Sequence, residues 1–339
     1  MYPPSGPQGP STAFPDRPPV DPYDRYDEFV PPPLPAAGGS RVVQATLLLA
    51  TLVTTTWAGG CHYVGFSHTF VELQNDTAAL TPAMFLQPSF YLYGLWYSLT
   101  ILAILGCHEM GHYLMALRYR VDTTRPYFLP APLMTGTLGA FIRLRSRIPN
   151  KVALFDIGIA GPIAGFVVAV PALFLGMAMS RIDPLPPDLS GMAYLGEPLL
   201  FKFAAWLVWG PRAEGYDLNL HPVAFAAWFG LLATALNLFP ISQLDGGHIA
   251  YAVFGRRSTV ITMLMVAIAI GLTFVSSSWI VWTIMMIVMI MVVGPHHPPT
   301  LDDDQELDKG RLLLAGFALV MLILCFTPAP IGPFVPGTS

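Results

Sequence analysis

Five consecutive residues, His108-Glu109-Met110-Gly111-His112, carry the densest chemistry in the chain. Residues four apart on a helix project from one face, so both imidazoles can reach a single ion. Zinc takes two histidine nitrogens readily, and the intervening glutamate can accept a proton from metal-bound water. A catalytic zinc also needs a third protein ligand and an open position. The candidate is Asp245, in the run Asn237-Leu238-Phe239-Pro240-Ile241-Ser242-Gln243-Leu244-Asp245-Gly246-Gly247-His248. Pro240 would break a helix, and Gly246-Gly247 would permit a tight turn that aims the carboxylate inward. Taken alone, each cluster has a plainer reading. Asp245 would be a helix-terminal turn residue, and His108, Glu109 and His112 a polar group at a lipid–water boundary.

The elements that must position these residues are apolar. The chain has 339 residues, 54% hydrophobic and 11% charged, with a net charge of −4. Soluble domains carry roughly 25% charged residues, and here the apolar residues come in blocks of bilayer-crossing length. Nothing in the charge pattern suggests nucleic acid. The three cysteines, Cys61, Cys107 and Cys325, have no paired spacing and read as lone thiols. Spans are expected at 42–58, 90–117, 152–179, 222–240, 258–275, 279–293 and 312–326, with 199–209 too short to cross. The remainder of 180–219 reads as loop. With the amino terminus in the cytoplasm, only Arg181, Lys202 and Arg212 of the 17 Lys and Arg fall outside, as the positive-inside rule requires. That layout puts the paired imidazoles and Asp245 at one depth, which favours the ligand reading of both clusters.

At this point the chain resembles the site-2 protease family, intramembrane zinc metalloproteases with an HExxH motif and an N-x-x-P-x-x-x-L-D-G motif. HEMGH followed by NLFPISQLDGGH matches both in order, and the likeness covers about 90–255. The resemblance implies one Zn2+ held by His108, His112 and Asp245, with Glu109 activating the hydrolytic water. It further implies that Asn237 holds the substrate or polarises its carbonyl. GIAGPIAGF (158–166) is similar to the family's glycine-rich core helix, whose small residues mean close helix packing. GTLGAFIRLRS (136–146) resembles its membrane-associated β-hairpin, whose edge could receive a substrate strand. An ordinary cytoplasmic loop accounts for that segment equally well. No PDZ-sized insertion is present.

The expected fold is an all-α polytopic membrane protein of about seven transmembrane helices. It has a three-helix catalytic core and a small β-hairpin. Residues 1–40, with twelve prolines, read as a disordered cytoplasmic tail. The first helix and outer loop follow at 41–88 and the core at 89–256. C-terminal helices with a His/Pro/acidic loop (294–311) occupy 257–327, and 328–339 is a tail. His62, His68 and His221 read as boundary residues. His248 reads as either a support to the metal ligands or a solvated turn. His296, His297 and Asp302–Asp304 read as a polar connecting loop rather than a metal site. The expected activity is peptide hydrolysis in or near a substrate's transmembrane helix, with the bilayer and that substrate as partners. A bacterial plasma membrane is the expected location and an organelle membrane the alternative. The rival from another class is a membrane transporter or scaffold that holds metal without turnover. Substrate identity and oligomeric state leave no mark in the sequence.

Overall fold

A computed structural model describes residues 40–75, 81–189 and 192–333. The expected tail at 1–40 lies outside the described residues except for Ser40, and the one at 328–339 does so only beyond residue 333. Helix α1 (Arg41–Ser67), a short α2 (Phe70–Asn75) and α3 (Pro88–Arg118) come first. A hairpin of β1 (Tyr127–Pro130) and β2 (Thr137–Phe141) leads to α4 (Lys151–Met179). Then come β3 (Arg181–Pro184), β4 (Ala193–Leu195), α5 (Leu199–Trp209), β5 (Tyr216–Asn219) and α6 (Pro222–Leu238). The chain continues through α7 (Asp245–Phe254), α8 (Ser258–Thr273), α9 (Ser278–Val293), α10 (Lys309–Cys325) and β6 (Ile331–Pro333).

Among the described residues, four helical stretches are long and apolar enough to cross a membrane: α1, α3, α4 and the composite Asp245–Thr273. Helices α5, α6 and α9 are apolar but shorter. Outward-facing Val260, Val281, Met291 and Leu313 are all more than two-thirds exposed, a surface that suits lipid rather than water. Between helices, lipid offers no hydrophobic driving force, so small residues let backbones touch. A Cβ on Gly94 of α3 would lie 2.1 Å from the Thr56 carbonyl of α1. The core forms around fully buried Trp228 of α6, packed with Ile104, Leu173, Leu231, Phe239 and Trp279.

Three details differ from the sequence reading. Helix α1 runs on through Gly59, Gly60, Cys61 and His62 to Ser67, because those small and polar residues pack on α3 instead of facing solvent. The hairpin pairs Tyr127 with Phe141 and Pro130 with Thr137, so its first strand lies before the segment 136–146 expected to form it. The region 180–219, expected as loop around one helix, contains β3 paired with β5 and β4 paired with the distant β6. Segments of three or four residues are too short to show a period, and only long-range pairing defines them.

Candidate metal centre

Helix α3 starts with Pro88 at its first turn, where a missing N–H costs nothing. It carries His108, Glu109 and His112 to the interior, at 5%, 7% and 6% exposure. The third component comes from the break between α6 and α7. Helix α6 stops at Leu238, two residues before Pro240, and α7 starts at Asp245. The sequence reading gave Gly246 and Gly247 the job of forming the turn. In the structure Ser242 takes the left-handed backbone, at φ 42°. The two glycines instead allow close approach: a Cβ on Gly246 would lie 2.0 Å from the Leu238 carbonyl, and one on Gly247 2.2 Å from that of Ser242.

The result is a tight triangle. His108 Nε2 lies 3.1 Å from His112 Nε2 and 3.1 Å from Asp245 Oδ2. His112 Nε2 lies 3.3 Å from Asp245 Oδ1. Tetrahedral zinc, with bonds near 2.0–2.2 Å, separates its ligand atoms by about 3.3 Å. Among the described residues this is the only group of three or more His, Cys, Asp or Glu side chains close enough to share an ion. The donor chemistry fits as well. The Nδ1–H of His112 donates to the Ile157 carbonyl at 2.7 Å, so that a neutral imidazole there offers its Nε2 lone pair toward the carboxylate. Lone pairs and negative charge converging in a buried space call for a cation.

Helix α4 makes that approach possible, since Gly161 leaves the room the His112 ring occupies. A Cβ there would fall 2.1 Å from Nε2. Glu109 stands beside the triangle, facing the Ile142 backbone N–H just past β2. The Asn237 amide reaches to 3.3 Å of His108 Nε2. All five residues singled out in the sequence therefore meet in one place.

The other histidines lie apart. His248, one turn beyond Asp245, hydrogen-bonds His297 at 2.6 Å, and Tyr251 stacks on His297 while its hydroxyl donates to Asp303 at 2.6 Å. The segment 294–308 is thereby strapped to α7, and burial holds His297 below its ordinary pKa. Backbone bonds from Leu301 and Asp302 to the Ile148 and Pro149 carbonyls fasten it to the start of α4. His296 bonds Thr259, and His221 caps α6 by accepting from Val223 N–H. Sequence reasoning missed the Ile157 carbonyl, because a backbone oxygen has no residue signature. It also missed the strap, whose side-chain anchors on α7 lie 49 and 52 positions from their partners and whose backbone anchors lie farther still.

A bundle of membrane-length helices enclosing a buried pair of imidazoles and one carboxylate, with a glutamate alongside, defines the class of membrane-embedded metalloproteins. The chain belongs to peptidase family M50, whose model matches residues 96–277. It is similar to the probable zinc metalloprotease EGY1, chloroplastic, of Arabidopsis thaliana, with 30% identity over 232 residues, 67% of this chain and 42% of the relative. The probable zinc metalloprotease EGY2, chloroplastic, of Oryza sativa subsp. indica is 30% identical over 248 residues, 72% of this chain and 44% of the relative. The chain thus spans less than half the length of these curated relatives. No solved structure matches.

Proposed function

We propose that the protein is an intramembrane zinc metalloendopeptidase that cuts peptide bonds in or near the transmembrane segments of membrane proteins. The observation that carries this reading is the triangle of His108, His112 and Asp245 with Glu109 beside it. In this reading the three side chains hold one zinc per chain. When bound, the ion would supply Lewis acidity to a water and to the scissile carbonyl. Glu109 takes the proton from that water and passes it to the leaving amine. Asn237, next to His108, offers its amide to the substrate carbonyl. A helical substrate must unwind first, since its carbonyls are already bonded along the helix, and the edge of β2 offers an extended partner for the unwound segment.

The seven-span arrangement belongs to the same proposal, with α1, α3, α4, α6, α8, α9 and α10 crossing and α5 lying at the interface. Residues 89–256 would form the catalytic unit and 257–327 the C-terminal helices. The charge asymmetry puts the amino terminus and the metal centre toward the cytoplasmic face of a plasma membrane, or the equivalent face of an organelle membrane. Regulated release of a membrane-tethered protein is the process such an activity serves. The test compares wild type with Glu109→Gln on a model transmembrane substrate while metal content is measured. The variant is expected to keep its zinc and lose at least ~10²-fold in turnover. Normal cutting by the variant would remove Glu109 as the base. Zinc binding without any cutting by wild type would favour a metal-holding scaffold or transporter instead.

A further inference from the structure

The β1–β2 hairpin reverses direction at 131–136, where Leu133 and Met134 are half exposed while Thr135 and Gly136 are buried against α1 and α3. In an apolar setting each backbone carbonyl of such a turn must find a donor, and of those at 134–136 only that of Gly136 is met by a backbone N–H, from Ala131. Here these three consecutive carbonyls find a side-chain donor each. His62 Nε2 lies 2.8 Å from the Met134 oxygen. The Tyr97 hydroxyl donates to the Thr135 oxygen at 2.9 Å. The Thr54 hydroxyl donates to the Gly136 oxygen at 2.6 Å. Two of these donors come from α1 and the third from α3. Tyr97 itself is fully buried, so its hydroxyl has no alternative partner in solvent.

The fit extends to the backbone. Gly136 has φ +69°, and a Cβ there would lie 2.5 Å from the Thr55 Cα, so the turn sits directly on α1. Below it, Gln44 near the start of α1 bonds the Arg125 carbonyl at 3.1 Å. The hairpin is thus fastened to α1 at both its base and its tip.

From Tyr97 to Glu109 is about 18 Å along α3, at ~1.5 Å per residue. From Thr135, the residue that Tyr97 holds, to Ile142, whose N–H faces Glu109, is about 23 Å at ~3.3 Å per residue. Strand β2 therefore joins the anchored turn directly to the residue beside Glu109.

We propose that α1, through Thr54 and His62, acts with Tyr97 as a positioning device that sets the register of the hairpin against Glu109, and so selects which substrate bond is cut. This rests on the proteolytic reading above. It gives α1, which carries none of the metal or proton chemistry, a defined role in specificity. A strand added to β2 moves about 3.3 Å for each residue of slip, so a loosened turn should blur the cleavage position before it abolishes cleavage.

The test maps cut sites by mass spectrometry on a model transmembrane substrate for wild type, Thr54→Val, Tyr97→Phe and Thr54→Ser. Zinc content and detergent melting are recorded for each. The first two variants are expected to keep zinc, to scatter their cuts over neighbouring bonds, and to lose about tenfold in kcat/KM, the scale of one hydrogen bond to a buried group. Thr54→Ser, which keeps the hydroxyl, should restore the single site. Should Thr54→Val fold poorly, Tyr97→Phe carries the comparison by deleting one oxygen. Wild-type bonds cut at wild-type rates in both variants would overturn the proposal. Hydrogen exchange at 137–141 reads the hairpin independently of activity, with about tenfold faster exchange expected in both variants. Unchanged exchange overturns the anchoring, whereas an inactive wild type with faster variant exchange overturns only the proteolytic reading.

Discussion

His112 shows how little freedom the centre has. Its ring is held by a carbonyl on one side and enclosed by Gly161 on the other, so position 161 bears on the candidate metal centre. Gly161→Ala is expected to displace the imidazole and weaken zinc binding by about 10–100-fold, as loss of a ligand's supporting contact typically does. Competition with a chelator would measure this, and unchanged affinity would show that the ring can yield. The ligand candidates themselves were legible from residue type and spacing, because an i, i+4 pair of histidines around a glutamate inside an apolar helix has few other uses. What Gly161 does was only half legible. Small residues announce close packing, but not that the neighbour is the ring of His112.

At the scale of elements, side chains cap the starts of α4, α6 and α10. His221 closes the start of α6 by accepting from Val223 N–H at 3.2 Å, and is 4% exposed. Burial lowers its pKa to about 4, against ~6.5 unfolded. The unfolded chain therefore binds the proton first. Stability is full above pH ~6.5 and falls as pH drops toward 4, by on the order of 3 kcal/mol at the limit. Melting in detergent between pH 7.5 and 5 should show this slope, and His221→Asn, which caps without titrating, should flatten it. Helix placement came readily from apolar blocks with Pro and polar boundaries. The short strands did not, since β4 finds its partner β6 at the far end of the described chain and nothing local marks either one.

Across the whole molecule, the C-terminal part is tied to the core by charge. Arg311 of α10 donates to Asp156 of α4 at 2.8 and 2.7 Å, and the Tyr119 hydroxyl bonds the same carboxylate. Arg311→Met would leave Asp156 without its cation and is expected to lower stability by roughly 1.5–3 kcal/mol, read as an earlier unfolding transition. A transition at the wild-type position would mean that Tyr119 alone suffices. Asp156 and Arg311 gave no sign of each other in the sequence, as 155 positions separate them. That separation also sets an order of events during synthesis. At ~5–20 residues per second, about 8–30 s pass between the emergence of Asp156 and that of Arg311. Newly made α3, α4 and α7 therefore wait in the bilayer with their enclosure unfinished, and the nascent chain completes it only when α10 arrives.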